Sequence, residues 1–411
     1  MTLSQVAREA GVSLATASRA INGAAVRTVR ADLRQRVLAA AERLQYVPDA
    51  NAQAMARGRT SSLGLIVGDI ADPYFSSIAA GVADAAERAS LAVTLACTHH
   101  HPLREAQFVE VLTRQRARAI VIAGGRRDDD EADALMRRAL EGFRRSGGST
   151  ALIGQPLLGV NTVVIANCSG AAALAHALYD RGYRRFAVLA GPLDHLTARD
   201  RCAGFSKALD ELGCPVAADA MISTAFTRDG GHQGMRVLLR DGAPVEVVFA
   251  VNDVMAVGAM AAAREVGVRV PEDVAVAGFD DIVTLRDITP ALSSVRVPLV
   301  DIGIAATELA LAAPSDEPLL VCVDGTVVLR DSTRGSAQNR ASPMSHDRRT
   351  KTAPGSRSLV APGLPSPASG RGSGWTRRVG RRTAKNCPDS AQDSDTRCFR
   401  RYWPATAWPI P

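Results

Sequence analysis

Leu14, Ala15, Thr16, Ser18, Arg19 and Asn22 bring hydroxyl, amide and guanidinium groups together with two compact apolar side chains within nine positions. At helical spacing they share the outward side of one helix. Such a face matches base-pair edges in a DNA major groove, where a guanidinium donates to paired guanine acceptors and a methyl group meets thymine. The same face also suits the solvated side of an ordinary helical hairpin. To position it, residues 2–22 must form two short helices around a tight turn. Thr2 and Ser13 place hydroxyls where helix starts need acceptors. Gly11 falls at the end of the first helix, where a left-handed residue is easiest. Val6, Ala7, Ala10, Val12, Ala17 and Ile21 are small enough for the two helices to cross closely.

A third helix is expected over about 30–44, with Leu33, Val37, Leu38, Ala41 and Leu44 on one face and Pro48 ending it. The alanine-rich stretch 49–58 has an aspartate start and a glycine exit but is too short to be a stable helix alone. From Ser62 the pattern changes. Strand-like apolar runs recur at 63–67, 92–96, 119–123, 150–153, 162–165, 186–190, 247–251, 274–278 and 319–323, with helical patterns between most of them. Alternating strand and helix over this length predicts two doubly wound parallel-sheet subdomains. The expected organisation is a helix-turn-helix headpiece over 1–48, a linker over 49–61 and an α/β core over 62–333. The chain is expected to cross between core subdomains near 165 and 292. Residues 334–411, rich in Arg, Ser, Pro and Gly, are expected to be a disordered basic tail.

Charge is divided along the chain. Residues 1–62 carry +5 and residues 335–411 carry +10, so the intervening 63–334 carry −8 of the overall +7. A basic head on an acidic body fits a protein that meets phosphates at one end. The seven cysteines include no C-x-x-C pair, which argues against zinc fingers and disulfide scaffolds and favours a reducing cytoplasm. No apolar run is long enough to span a bilayer, and no basic-then-apolar leader opens the chain. No G-x-G-x-x-G follows the first strand, and neither a phosphate-binding lysine loop nor a nucleophile elbow is present, so no catalytic or cofactor site is expected. His99, His100 and His101 are adjacent on one loop, which sends their rings in different directions, so no metal site is expected there. Asp128, Asp129, Asp130 and Glu131 read as the first turn of a helix.

Over residues 1–333 the chain resembles the LacI/GalR family of bacterial transcription regulators. Val6-Ala7, Ala10-Gly11-Val12-Ser13 and Thr16-Ala17-Ser18-Arg19 resemble the family headpiece, and Arg36 to Leu44 with Tyr46 and Pro48 resembles its third helix. Asp72-Pro73-Tyr74-Phe75, Leu189-Ala190-Gly191-Pro192, Arg201-Cys202-Ala203-Gly204-Phe205, Asn252 to Gly258 and Gly278-Phe279-Asp280-Asp281 resemble segments of its effector domain. The chain differs from the family pattern in having Ala17 for Val, Arg30 for a Ser cap, a longer Asn22–Val29 loop, and Ala166 for the Asp often found before Asn167.

The resemblance implies a periplasmic-binding-protein-like core, a homodimer, operator DNA as partner and a small-molecule effector, with carbohydrate favoured. It implies that Leu14, Ala15 and Arg19 read bases and that Thr16, Ser18 and Asn22 hold phosphates or base edges. It also implies that Met55 wedges into a kinked minor groove. In this architecture ligands sit beyond the strand C-termini, where Asp72, Tyr74 and Phe75 face Arg201, Phe226, Asn252, Asp253 and Asp280. Asp253 and Asp281 also suit helix capping. Two other readings remain at this stage: a transport-type sugar-binding protein without DNA function, and a regulator of a non-sugar metabolite.

Overall fold

The computed structural model describes residues 1–22, 29–47, 59–242, 244–313, 315 and 317–334. Met55, most of the 49–61 linker and all of the tail after Arg334 lie outside the described residues.

The headpiece consists of α1 (Leu3–Glu9), α2 (Leu14–Asn22) and α3 (Ala31–Arg43). Thr2 closes a capping box on α1, its hydroxyl accepting from the Gln5 amide while the Gln5 side chain accepts from the Thr2 amide. Gly11 has φ +62°, and Ser13 Oγ accepts from the Thr16 amide at 3.2 Å to start α2. Val6, Ala7, Ala10, Ala17, Ala20, Val37 and Ala40 make a closed apolar core. Ala17 is fully buried, so the smaller residue lets α2 approach its neighbours. One expectation changes here. Leu38 is 47% exposed, because α3 turns the 33-37-40-44 stripe inward and Leu38 lies about 100° beyond Val37. Arg30 starts α3 without a side-chain cap and instead pairs with Asp32.

The core contains two six-stranded sheets. The first has order β11-β5-β4-β3-β1-β2, built from β1 (Ser62–Val67), β2 (Ala92–Cys97), β3 (Ala119–Ala123), β4 (Ser149–Ile153), β5 (Asn161–Ile165) and β11 (Leu320–Val323). The second has order β12-β10-β9-β8-β6-β7. Its strands are β6 (Phe186–Leu189), β7 (Met221–Ile222), β8 (Val247–Ala250), β9 (Ala275–Asp280), β10 (Ser293–Arg296) and β12 (Thr326–Val328). Every strand pair is parallel except β10 with β12. Central strands are apolar along their whole length because helices cover both faces, and β3 is buried at every residue.

Helices α4 (Pro73–Arg88), α5 (Pro102–Arg114), α6 (Asp130–Arg145) and α11 (Leu299–Leu311) belong to the first subdomain. Helices α7 (Asn167–Asp180), α8 (Leu196–Glu211), α9 (Arg228–Arg240) and α10 (Asp253–Glu265) belong to the second. The chain passes between sheets after Ile165, after Arg296 and again between Val323 and Thr326. That third passage exists because β12, only three residues long, joins the second sheet. The doubly wound order places the C-terminal ends of the strands of both sheets around one crevice.

Candidate functional site

On α2, Leu14 is 51% exposed and Ala15 is also exposed, while Ala17 and Ala20 point into the headpiece core. Thr16 Oγ1 pairs with Ser13 Oγ at 2.9 Å, and Asn22 Nδ2 donates to Ser18 Oγ at 3.2 Å. Arg19 Nε donates to its own helix at Ala15 O, 2.9 Å away, and no carboxylate lies within ion-pair distance among the described residues. The face therefore presents one free cation, two short apolar groups and two small polar pairs. It sits on a helix packed against α1 and α3 and capped by Ser13.

The cleft between the two sheets is lined from the first subdomain by Asp72, Tyr74, Phe75, Thr98, His100 and Arg126, and from the second by His195, Thr197, Arg201, Phe226, Asn252 and Asp280. Its free volume is about 80 Å³. A single water needs roughly 10–15 Å³, so this is room for a small organic molecule. Seven of the eight expected ligand-facing residues meet here; Asp253 does not. Asp253 is fully buried, its Oδ2 accepting the Ile282 amide at 2.9 Å and its Oδ1 the Ser294 hydroxyl at 2.7 Å. It ties the start of α10 to β10 and the end of β9, and burial pushes its carboxyl well above the usual range.

Arg201 forms the floor. It is 1% exposed, and Nε donates to Asn167 Oδ1 at 2.8 Å. Nη1 reaches Val251 O at 2.7 Å and Asp280 Oδ2 at 3.3 Å, and Nη2 reaches Asp280 Oδ1 at 2.7 Å. Those bonds use four of its five N–H groups. The guanidinium also lies 3.9 Å above the Phe279 ring. Asp280 is held at φ +114°, an uncommon conformation outside glycine, which is sustained here by the two-pronged bond to Arg201. Burial raises the Asp280 carboxyl to about 6 against the opposing pull of Arg201.

The remaining lining is aromatic, neutral polar or acidic, with two arginines, Arg126 and Arg127, that are already ion-paired. Asp72 starts α4 by accepting the Tyr74 amide at 2.9 Å, and burial raises its carboxyl. The Tyr74 hydroxyl is pushed up by burial and by Asp280. Asn252 caps α10 through Oδ1, accepting from the Met255 amide at 2.9 Å, so its amide nitrogen is the group left for the cleft. Arg126 is neutralised by Glu105 and by Asp133 at 2.7 Å. Phe75 meets Tyr74 edge-on at 5.0 Å, and His100 lies 6.0 Å from Phe75. Among the described residues no cluster of His, Cys, Asp and Glu is arranged for a metal.

Two segments that sequence reasoning passed over close one side of the cleft. Arg127 and His195 form an antiparallel bridge, with Asp128 N donating to Asp194 O at 2.8 Å and Leu196 N to Arg126 O at 2.9 Å. Ion pairs Arg127–Asp194 (2.6 Å) and Arg199–Asp128 (3.0 Å) reinforce it, and Gln155 Nε2 donates to Thr197 Oγ1 at 3.1 Å. Gly125 makes this approach possible, since a Cβ there would sit 2.2 Å from Thr197 Oγ1. The Gly124-Gly125 pair was the only sequence trace of the contact, and it reads equally as a plain turn. Asp129 caps α6 through the Ala132 amide, as its position suggests.

His195 stacks on Phe226 at 4.5 Å and 22°, while its Nδ1 accepts from the Ala198 amide at 3.4 Å. Burial, then Arg127 and Arg201, lower its pKa to about 4, so the ring is neutral at pH 7. An unfolded chain takes up a proton on this histidine below its ordinary value of 6.5, whereas the folded one waits until about 4. Stability is therefore lost as pH falls through that window. Urea unfolding at pH 7 and pH 4 should show the parent protein losing up to about 3 kcal/mol more than His195→Gln. Equal losses would mean that His195 is not held neutral by its surroundings.

Residues 2–49 match the family model described as bacterial regulatory proteins, lacI family, and residues 175–333 match a periplasmic binding protein-like domain. The chain is 34% identical over 322 residues to the HTH-type transcriptional regulator GalR of Escherichia coli (strain K12), covering 77% of this chain and 90% of the relative. Among solved structures it is similar to the lac repressor dimer bound to operator and the anti-inducer ONPF (TM-score 0.68, 26% identity, 81% of this chain and 99% of that one). It is also similar to a complex of the transcriptional regulator CelR with cellobiose (TM-score 0.59, 29% identity, 81% and 99%).

Proposed function

The chain belongs to the lacI family of bacterial regulatory proteins, and from that premise we propose that it is a homodimeric cytoplasmic repressor whose operator affinity is set by an uncharged sugar bound in the cleft. The chain is a DNA-binding transcriptional regulator with a ligand-binding core, not an enzyme. Arg19 reads a guanine, Leu14 and Ala15 meet thymine methyls, and Thr16, Ser18 and Asn22 hold phosphates or base edges. Met55 acts as the minor-groove wedge.

The observation that carries the effector class is the neutralised floor. Arg201 is matched by Asp280 and Arg126 by Glu105 and Asp133, while Asp72 adds a further carboxylate. Such a site disfavours phosphate or carboxylate ligands by like charge and offers acceptors for paired hydroxyls. Phe75 and Phe226 supply apolar surface for a sugar ring. The solved CelR relative is a cellobiose complex, which supports the same class. Two exposed apolar features support a second copy of the chain as partner: β2 is an edge strand with Leu95 44% exposed, and Val283 is 63% exposed.

The test is a thermal-shift screen of the full chain against neutral sugars, sugar phosphates and sugar acids. A neutral sugar at 100 times its Kd is expected to stabilise the core by about 2.7 kcal/mol, and Asp72→Asn or Phe226→Ala should weaken that response. Stabilisation by anionic compounds alone would overturn the sugar assignment. Because coupling is reciprocal, operator DNA must change the affinity for the active sugar by the same factor as the sugar changes operator affinity.

A further inference from the structure

Strand starts and helix ends of the first subdomain lie together at the end of the sheet away from the cleft, because its strands all run parallel. Arginines gather there within a core whose residues 63–334 carry −8. Arg114, Arg144 and Arg145 have an ordinary explanation. They occupy the last turns of α5 and α6, where the helix dipole favours cations, and they reach Glu110 and Glu141. Arg116 and Arg118 do not. They follow α5 on the turn into β3, both exposed, with no carboxylate within ion-pair distance and no side-chain hydrogen bond among the described residues. Arg116 adopts φ +56°, a conformation where glycine is easier, so an arginine is kept at a conformational cost.

This turn is tied to the segment that arrives from the headpiece. Thr60 N donates to Arg116 O at 3.0 Å, Arg59 Nη1 to Arg118 O at 3.2 Å, and Arg118 N to Ser62 O at 2.8 Å. Eleven residues, 48–58, connect Val47 to Arg59. Their contour length of at most roughly 40 Å keeps a duplex gripped by the headpiece within reach of this turn.

We propose that Arg116 and Arg118 form a second, sequence-independent DNA contact, donating to backbone phosphates of the duplex that the headpiece holds. The proposal rests on the DNA-binding reading and adds an interface on the core to it. Side chains of this kind carry no base information; they raise affinity, orient the core on the duplex and steepen the salt dependence.

The experiment compares the full chain with Arg116→Gln/Arg118→Gln by anisotropy titration of a random-sequence 40-base-pair duplex from 50 to 200 mM salt. Each lost phosphate contact should reduce the slope of log K against log salt by about 0.9, so the double variant is expected to lose about two units of slope if one protomer makes the contacts and up to about four if both protomers of a dimer do. Its affinity should fall several-fold at 100 mM salt, with an unchanged melting temperature. An identical slope in the two proteins overturns the second contact and leaves the headpiece reading intact. A parent chain that fails to bind duplex at any salt overturns both.

Discussion

Arg201→Met should lower the unfolding free energy of the core by about 3–5 kcal/mol, the usual cost of removing one partner from a buried ion pair. The side chain is 1% exposed and supplies donors to Asn167, Val251 and both oxygens of Asp280. Its loss leaves a buried carboxylate and two buried acceptors unmatched. For a core of this size, melting should fall by roughly 10 °C or more. The double variant Arg201→Met/Asp280→Asn should recover more than half of that loss, because the uncompensated charge is gone. The pair is also expected to respond to pH. With the Asp280 carboxyl raised to about 6 from its ordinary 3.8, the folded state holds a proton that the unfolded state has released. Its contribution therefore decreases as pH rises from about 4 to about 6 and is flat above that. Asp280→Asn removes this slope. A loss below about 1 kcal/mol for Arg201→Met, or no recovery in the double variant, would show that the floor is not held by this pair.

The architecture was legible because parallel strands covered on both faces leave unbroken apolar runs, as in β1, β3 and β8, and because helix starts carry their own acceptors at Thr2, Asp72, Asp129 and Asn252. The strands that escaped notice are short and mixed in polarity. β10 is Ser-Ser-Val-Arg, β12 has three residues and β7 has two, and edge strands like β12 and β7 need little apolar patterning. Leu38 falls beside Val37 in the apolar pattern of α3, but the exact helical phase decides burial, and Val37 and Ala40 already fill the inward position.

The cleft was legible to the level of segments and not of atoms. Asp253 and Asp280 both stand at strand ends facing the crevice in sequence logic. Only the placement of the Ile282 amide and the Ser294 hydroxyl turns Asp253 away from the ligand and into the frame. The closure made by Arg126, Arg127 and Asp128 against Asp194, His195 and Leu196 joins positions nearly 70 residues apart on different subdomains. No periodicity encodes such a meeting. The same holds for the commitment of Arg201: its residue type suggests an anion or hydroxyl binder, whereas its four internal bonds make it a support for Asp280.

Arg19→Ala should abolish discrimination for the operator while sparing the fold. Arg19 is the only charged residue of α2, and its neighbours Leu14 and Ala15 offer methyl contacts alone, so most hydrogen-bonded base readout on this helix falls to one guanidinium. A two-pronged arginine–guanine contact is worth about 1–3 kcal/mol, or roughly 5- to 150-fold in specific affinity per half-site, and a dimer uses two. Structural cost should be small, because among the described residues the side chain bonds only to Ala15 O within its own helix. Arg19→Lys separates charge from geometry: it keeps the cation but lacks the fork, so it should retain non-specific affinity and lose preference for guanine. The measurement is competition of labelled operator against random duplex for the parent, Arg19→Ala and Arg19→Lys proteins, with circular dichroism to confirm the helices. If Arg19→Lys keeps the parent's preference, Arg19 acts as a phosphate clamp and base reading must lie with Thr16, Ser18 or Asn22. If Arg19→Ala keeps it as well, α2 is not the reading helix.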